Sequence, residues 1–369
     1  MSGGPIHDER GALIALAHAI EPGDARIGAL IDTWGAEQVC ERLTAGQLGV
    51  REQSSMQVRL ARVDVDAAVA SAHAVGARII DRTDREWPTQ LDDLGATRPL
   101  VVWALGAANL RLTALRSIAV VGARAATAYG EAICRDWCSE LAEHSFTVVS
   151  GGAYGIDAAA HRATLSAGGM TICVLASGVD TPYPRAHDAL IARIADEGLV
   201  ISESPLGQEV RRQRFLTRNR LIAALTRATL VVEAAVRSGT TSTANAAMAL
   251  NRPVLAVPGP VTSVMSGGCH KLIRDTDALL ASRIEDVLEV IGELGEFSAP
   301  AQERRSIDDL SPSQACILDA IPARGSIGMN DLVIDSGFSV ADVSGALAVL
   351  MLRGFTDEGP GGWRLAGRA

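Results

Sequence analysis

Short β-branched runs alternating with helix-length segments constrain this chain more than any other feature. Residues 117–122, 146–150, 171–175, 199–202, 229–233 and 253–257 are such runs, rich in Val, Ile and Thr. The longer stretches between them carry helical periodicity. That alternation implies crossover units and a parallel sheet covered on both faces. It predicts a doubly wound, Rossmann-like α/β domain over residues 76–295, with 100–105 as an added strand ahead of the first.

The flanks read differently. Apolar stretches at 11–20, 27–34 and 36–43, separated by Glu21-Pro22-Gly23-Asp24 and Gly35, predict a small helical domain over residues 1–75. Residues 296–306 have the composition of a linker. The pattern 312–321, 329–334, 340–352 and a Gly-rich turn before Trp363 predicts three helices and a two-stranded wing, a winged helix over 307–369. That segment holds 8 acidic and 4 basic residues from 306 onward. Such a balance suits a protein-contact module better than a helix entering a DNA groove, and it argues against a sequence-specific regulator.

Composition excludes several classes. With 369 residues and 48% hydrophobic content the chain has material for real cores, which rules out wholesale disorder. No apolar run reaches the roughly 18 residues of a spanning helix. The first ten residues have neither a basic start nor a hydrophobic stretch, so the expectation is a cytoplasmic protein without a membrane partner. The six cysteines show no CxxC pair and no zinc spacing, and all are read as reduced. Cys134 and Cys138, four apart, are read as small buried side chains on one helix face rather than metal ligands. No metal and no cofactor is expected.

The net charge of −9 argues against a generally basic nucleic-acid binder. All but one of the 34 basic residues are arginine, the exception being Lys271. Arg211, Arg212, Arg214, Arg218 and Arg220 fall within ten residues that contain no acid. The chain is acidic with one concentrated cationic strip.

In a doubly wound sheet ligands bind beyond the carboxyl ends of the strands. Here glycine or a small hydroxyl residue follows strand after strand. Glycines let backbone approach a ligand, and helix N-termini present unpaired N–H groups. Ser238-Gly239-Thr240 opening one helix and Gly151-Gly152 opening another are candidate phosphate cradles. One such turn is ordinary structure, but several along one edge favour a long polyanion. There is no GxGxxG and no GxxxxGK[ST], which argues against dinucleotide and ATP. Arg124 instead places a guanidinium fork at a strand end. In the cationic strip Phe215 lies between charges, so arginines could hold phosphates while a ring stacks a base. The other possibility is a solvated charge run with Phe215 in the core. Asn219-Arg220-Leu221-Ile222 begins an apolar helix, which puts the strip at a strand-to-helix crossing. Asp157 and His161 are read as a helix cap and a packed imidazole rather than an acid–base pair. Glu233, a conceivable general base, is read as a group that holds Arg or backbone N–H groups in place.

Taken in order, Val121-Gly122-Ala123-Arg124, Ser150-Gly151-Gly152-Ala153-Tyr154-Gly155-Ile156-Asp157, Gly178-Val179-Asp180 with Tyr183-Pro184, Ser202-Glu203-Ser204-Pro205, Phe215 with Arg218-Asn219-Arg220, Ser238-Gly239-Thr240 and Val257-Pro258-Gly259 resemble the DprA/Smf family of bacterial DNA-processing proteins. The resemblance implies a SAM-like or helix-hairpin-helix-like kind for the helical domain over 1–75, and a protein that is not an enzyme and has no catalytic residues. It implies binding and protection of single-stranded DNA, dimerisation through the Rossmann-like domain, and loading of RecA for homologous recombination in natural transformation. It assigns strand contacts to Arg124, Gly151, Gly152, Arg211, Arg212, Arg214, Phe215, Arg218, Asn219, Arg220, Ser238, Gly239 and Thr240. Leu216 stands where the family often has proline, and an upstream lysine of the family is replaced by one of Arg211, Arg212 and Arg214. The alternative is a Rossmann-like hydrolase of N-glycosidic bonds, but the PGGxGT turn and following glutamate of such enzymes are absent.

Overall fold

The computed structural model describes residues 8–236, 239–293, 295–297 and 310–366. The chain divides into two compact units, 1–297 and 298–369. The first opens with α1 (Glu9–Ala19), α2 (Ala25–Trp34), α3 (Ala36–Thr44), α4 (Gln53–Leu60) and α5 (Val65–Ala74). Then come β1 (Ala77–Ile80), β2 (Val102–Leu105), α6 (Leu110–Leu115), β3 (Ser117–Val121), α7 (Ala128–Glu143), β4 (Thr147–Ser150), α8 (Ile156–Ser166) and β5 (Thr171–Val174). The unit continues with α9 (Asp188–Glu197), β6 (Leu199–Ser202), α10 (Arg212–Leu225), β7 (Thr229–Val231) and α11 (Thr240–Ala249). It ends with β8 (Val254–Ala256), α12 (Gly267–Asp275), β9 (Leu279–Leu280) and α13 (Ile284–Ile291).

The strands form one sheet in the order β1-β2-β6-β5-β4-β3-β7-β8-β9. From β6 through β9 every neighbouring pair is parallel. Strand β3 shows why both faces are covered. Its five residues are all buried, and the strand period of two sends them alternately to opposite sides. Ile118 and Val120 pack with Trp137, Ile156 and Val287, from α7, α8 and α13. Ala119 and Val121 pack with Leu221, Ile222 and Ala244, from α10 and α11.

The sheet extends beyond the expected parallel strands at both edges. β1 and β2 form an antiparallel extension, with β2 antiparallel to β6 through Trp103 opposite Ser202. β9 adds two residues at the other edge. Neither β1 nor β9 shows in the sequence as a strand, because four and two residues are too few to display a period.

The helices expected as a separate domain over 1–75 lie within the first unit. Asp8 caps α1 by accepting from the Gly11 N–H at 2.7 Å. Glu9 accepts from the Ala36 N–H at 2.7 Å, tying α1 to the start of α3. Ile14 and Ala72 share one apolar cluster with Trp103 and Val200 of the sheet. In the second unit α14 (Pro312–Asp319), α15 (Met329–Ser336) and α16 (Val340–Leu352) precede a hairpin of β10 (Thr356–Gly359) and β11 (Gly362–Leu365). Ile317, Leu332, Val343, Leu347 and Trp363 form its core. The expected linker at 296–306 lies almost wholly outside the described residues. Among the described residues no single helix is long and apolar enough to cross a membrane.

Candidate nucleic-acid interface

Strand β3 has β4 on one side and β7 on the other, so the connections leaving β3 and β7 turn away from each other. A crevice opens where they part, at the switch point of the sheet. It is a cavity of about 680 Å³ whose lining includes Gly122, Arg124, Asp157, Arg212, Phe215, Arg218, Asn219, Gly239 and Thr240. The Thr240 hydroxyl donates to the Gly122 carbonyl at 3.0 Å and so fastens the start of α11 to the turn after β3. Glu233, at the end of β7, accepts from the Thr127 N–H at 2.9 Å and the Thr127 hydroxyl at 2.6 Å. It is spent holding the cap of α7, as its positioning role predicts. Ser238 lies outside the described residues.

The cationic strip is not a loop. Helix α10 begins at Arg212, seven residues before the Asn219 at which the sequence pattern suggests a helix start. A period of 3.6 then sorts the arginines by face. Arg214 and Arg218 are four apart and both buried, in line with Leu221, Ile222 and Leu225. Arg212, Gln213 and Leu216 face outward. Leu216, in the place of a family proline, continues this helix and is 56% exposed.

The five arginines consequently have different partners. Arg211 and Arg214 both reach Glu21 of the α1–α2 turn, at 3.2 and 3.0 Å. Arg59 of α4 joins the same carboxylate at 3.5 Å. Arg220 holds Glu203 with two hydrogen bonds of 2.6 Å and donates from Nε to the Thr97 carbonyl. Among the described residues Arg124 and Arg212 have no carboxylate partner. Both are exposed at the crevice mouth.

Arg218 forms the wall below them. One guanidinium nitrogen donates to the Val174 carbonyl, and Nε has no partner among the described residues. Burial lowers its pKa, while Asp157 opposes that shift. Asp157 sits in the first turn of α8 and accepts from the Gly151 N–H at 3.2 Å. Burial raises its carboxyl above the usual range, against the pull of Arg218 and the N–H groups of Ala153, Gly151 and Gly122. The Gly151 amide is therefore engaged within the protein. Gly151 and Gly152 contribute chiefly by lacking side chains, since a Cβ on Gly151 would fall on the Arg218 guanidinium. His161 meets the Thr171 hydroxyl at 2.7 Å through Nδ1. Its Nε2 lacks a partner among the described residues, so the packed imidazole has one satisfied ring nitrogen. Burial, reinforced by Arg218, His187 and Arg162, brings its pKa down to about 3.

Phe215 is half-buried and flanked on two sides. The Arg124 guanidinium lies 5.2 Å from its ring centre and the Tyr183 ring 5.6 Å away. Sequence reasoning gave Tyr183 no role, and it missed Glu21 altogether. A tyrosine following a strand end was a usable signal. Glu21 offered none, since its partners Arg211 and Arg214 lie 190 and 193 residues away.

Fold and crevice together define a Rossmann-like α/β protein whose switch point carries arginines and an aromatic ring where dinucleotide enzymes carry glycines. Residues 78–292 match the family described as DNA recombination-mediator protein A. The chain belongs to that family of recombination mediators. It is 43% identical over 364 residues to a DNA processing protein DprA of Mycobacterium tuberculosis, covering 95% of this chain and 92% of that one. A solved structure of DNA processing protein A from Streptococcus pneumoniae superposes with a TM-score of 0.65 at 31% identity, over 76% of this chain and 96% of that one. The structure of the Helicobacter pylori protein, described for its single-stranded DNA binding mode, gives a TM-score of 0.52 at 26% identity, over 59% of this chain and 95% of that one.

Proposed function

We propose that this protein binds single-stranded DNA along the carboxyl-terminal rim of its sheet and presents the strand to RecA for homologous recombination. The observation that carries the reading is the switch-point crevice, where Arg124 and Arg212 stand beside Phe215 without carboxylate partners among the described residues. Arg124 and Arg212 take phosphates, Phe215 stacks a base, and Asn219 with the N-terminus of α11 at Gly239 and Thr240 lines the path. Arg218 supplies positive potential from the wall. Arg211, Arg214 and Arg220, already paired with Glu21 and Glu203, contribute by shaping the rim. Single strands fit better than duplex, because the ring inside the crevice needs an unpaired base face.

The protein acts as a cytoplasmic homodimer without catalytic residues. The acidic second unit serves as a contact module for other proteins. Family membership favours this mediator over the N-glycosidase alternative.

The test is fluorescence anisotropy with labelled oligo-dT, duplex competitor and a salt series. The expected result is single-strand preference with a log–log slope of about −0.7 per neutralised phosphate. Absence of binding at low salt would refute the reading.

A further inference from the structure

The chain has three tyrosines, and all three stand beyond the carboxyl ends of adjacent strands. Tyr129 follows β3, Tyr154 follows β4 and Tyr183 follows β5. They are 37%, 47% and 46% exposed, whereas Trp87, Trp103, Trp137 and Phe146 are at most 7% exposed. The first unit thus places these other large rings in its core and leaves every tyrosine on one rim. Isolated exposed rings need no explanation, but a set confined to the ends of three neighbouring strands does.

The rings are braced. Tyr183 lies 5.6 Å from Phe215 at 59°. Tyr154 lies 4.8 Å from His187 at 64°, and His187 Nδ1 is 3.0 Å from the Gly152 carbonyl. Tyr129 stands on the other side of the crevice, against the turn at Gly259, where a Cβ would be 3.7 Å from the tyrosine ring. A braced, exposed ring loses little conformational freedom on binding. Adjacent strands are about 4.8 Å apart, so their ends define one line across the rim, with Arg124 beside it.

We propose that Tyr154, Tyr183 and Phe215, with Tyr129 across the switch point, form a stacking rail for successive bases of single-stranded DNA running across the strand ends. The inference rests on the single-strand reading above and adds which side chains take the bases. Since every base has a π face, such a rail is indifferent to sequence.

The full chain is titrated with oligo-dT and with an abasic deoxyribose-phosphate oligomer of equal length. Wild type is expected to prefer oligo-dT. Tyr154→Ala, Tyr183→Ala and Tyr129→Ala each weaken oligo-dT binding about fivefold or more and leave abasic binding unchanged. The Tyr→Phe variants retain both. Equal losses on both oligomers, no loss in any variant, or a wild type indifferent to the bases would overturn the rail while leaving strand binding standing. A wild type that binds neither oligomer would overturn the single-strand reading itself.

Discussion

Arg218 lies across Gly151, and its guanidinium fills the volume that a side chain on residue 151 would need. The missing Cβ thus positions a buried cation at the wall of the crevice. Gly151→Ala is expected to displace Arg218, costing roughly 1–3 kcal/mol as overpacking and weakening strand binding. Gly239→Ala makes the control, since open space surrounds that position. It is expected to leave the melting temperature unchanged, so any affinity it loses reports on a ligand approaching the α11 N-terminus. Thermal melts and anisotropy on both variants check the pair.

Arg124 and Arg218 are separable in the same way. Arg124 is exposed, its guanidinium lies over the Phe215 ring, and among the described residues it has no carboxylate partner. Arg124→Ala should therefore melt like wild type, bind oligo-dT more weakly and flatten the salt slope by about 0.7. Arg218→Ala removes the countercharge from buried Asp157. It is expected to cost about 3 kcal/mol of stability, so its affinity must be read at a temperature where it is folded. A stable Arg218→Ala protein would contradict the burial argument.

Glu21 gathers three arginines from two parts of the chain. Burial alone would raise its pKa, but Arg214, Arg211 and Arg59 together hold the carboxyl below its usual value. Its contribution to stability is present above the ordinary carboxylate pKa and fades as pH falls through the lowered one. Glu21→Gln is expected to tighten oligo-dT binding at low salt by about two- to fivefold and steepen the salt slope, because Arg211 is freed. The same change should lower the melting temperature, because Arg214 remains buried. Unchanged affinity would place the strand's path away from Arg211.

His161 predicts an acid sensitivity. Its pKa is about 3 in the folded chain against an ordinary 6.5. Between those values the unfolded chain binds a proton that the folded one does not, so stability falls as pH drops through that window. The loss approaches 1.4 kcal/mol per pH unit. Asp157, with its raised pKa, titrates in the opposite sense, so the contribution must be isolated by difference. Denaturant unfolding at pH 7, 5.5 and 4.5 should show a shallower decline in His161→Gln than in wild type. Parallel declines would contradict the prediction.

Much of this protein was legible without coordinates. The short β-branched runs that became β3 to β8 read as buried strands, and helix-length spacers leave a parallel crossover sheet as the arrangement that hides both faces. From that follows the rim, and with it Arg124, Phe215 and the glycine turns. Of the antiparallel extension β2 was legible as the added strand at 100–105, whereas β1 was not, because Ala77–Ile80 owe their state to β2 beside them.

The arginine strip marks the boundary. Its charge is a property of the sequence, and five arginines in ten residues read as one cationic patch. Only the fold decided that Arg214 and Arg218 turn inward on α10, that Arg211 meets Glu21 from α1's end, that Arg220 is clamped by Glu203, and that Arg212 stays open. Composition and period are local and survive in the sequence. Which charge is neutralised depends on what packs across from it, and that is settled by contacts spanning up to 193 residues.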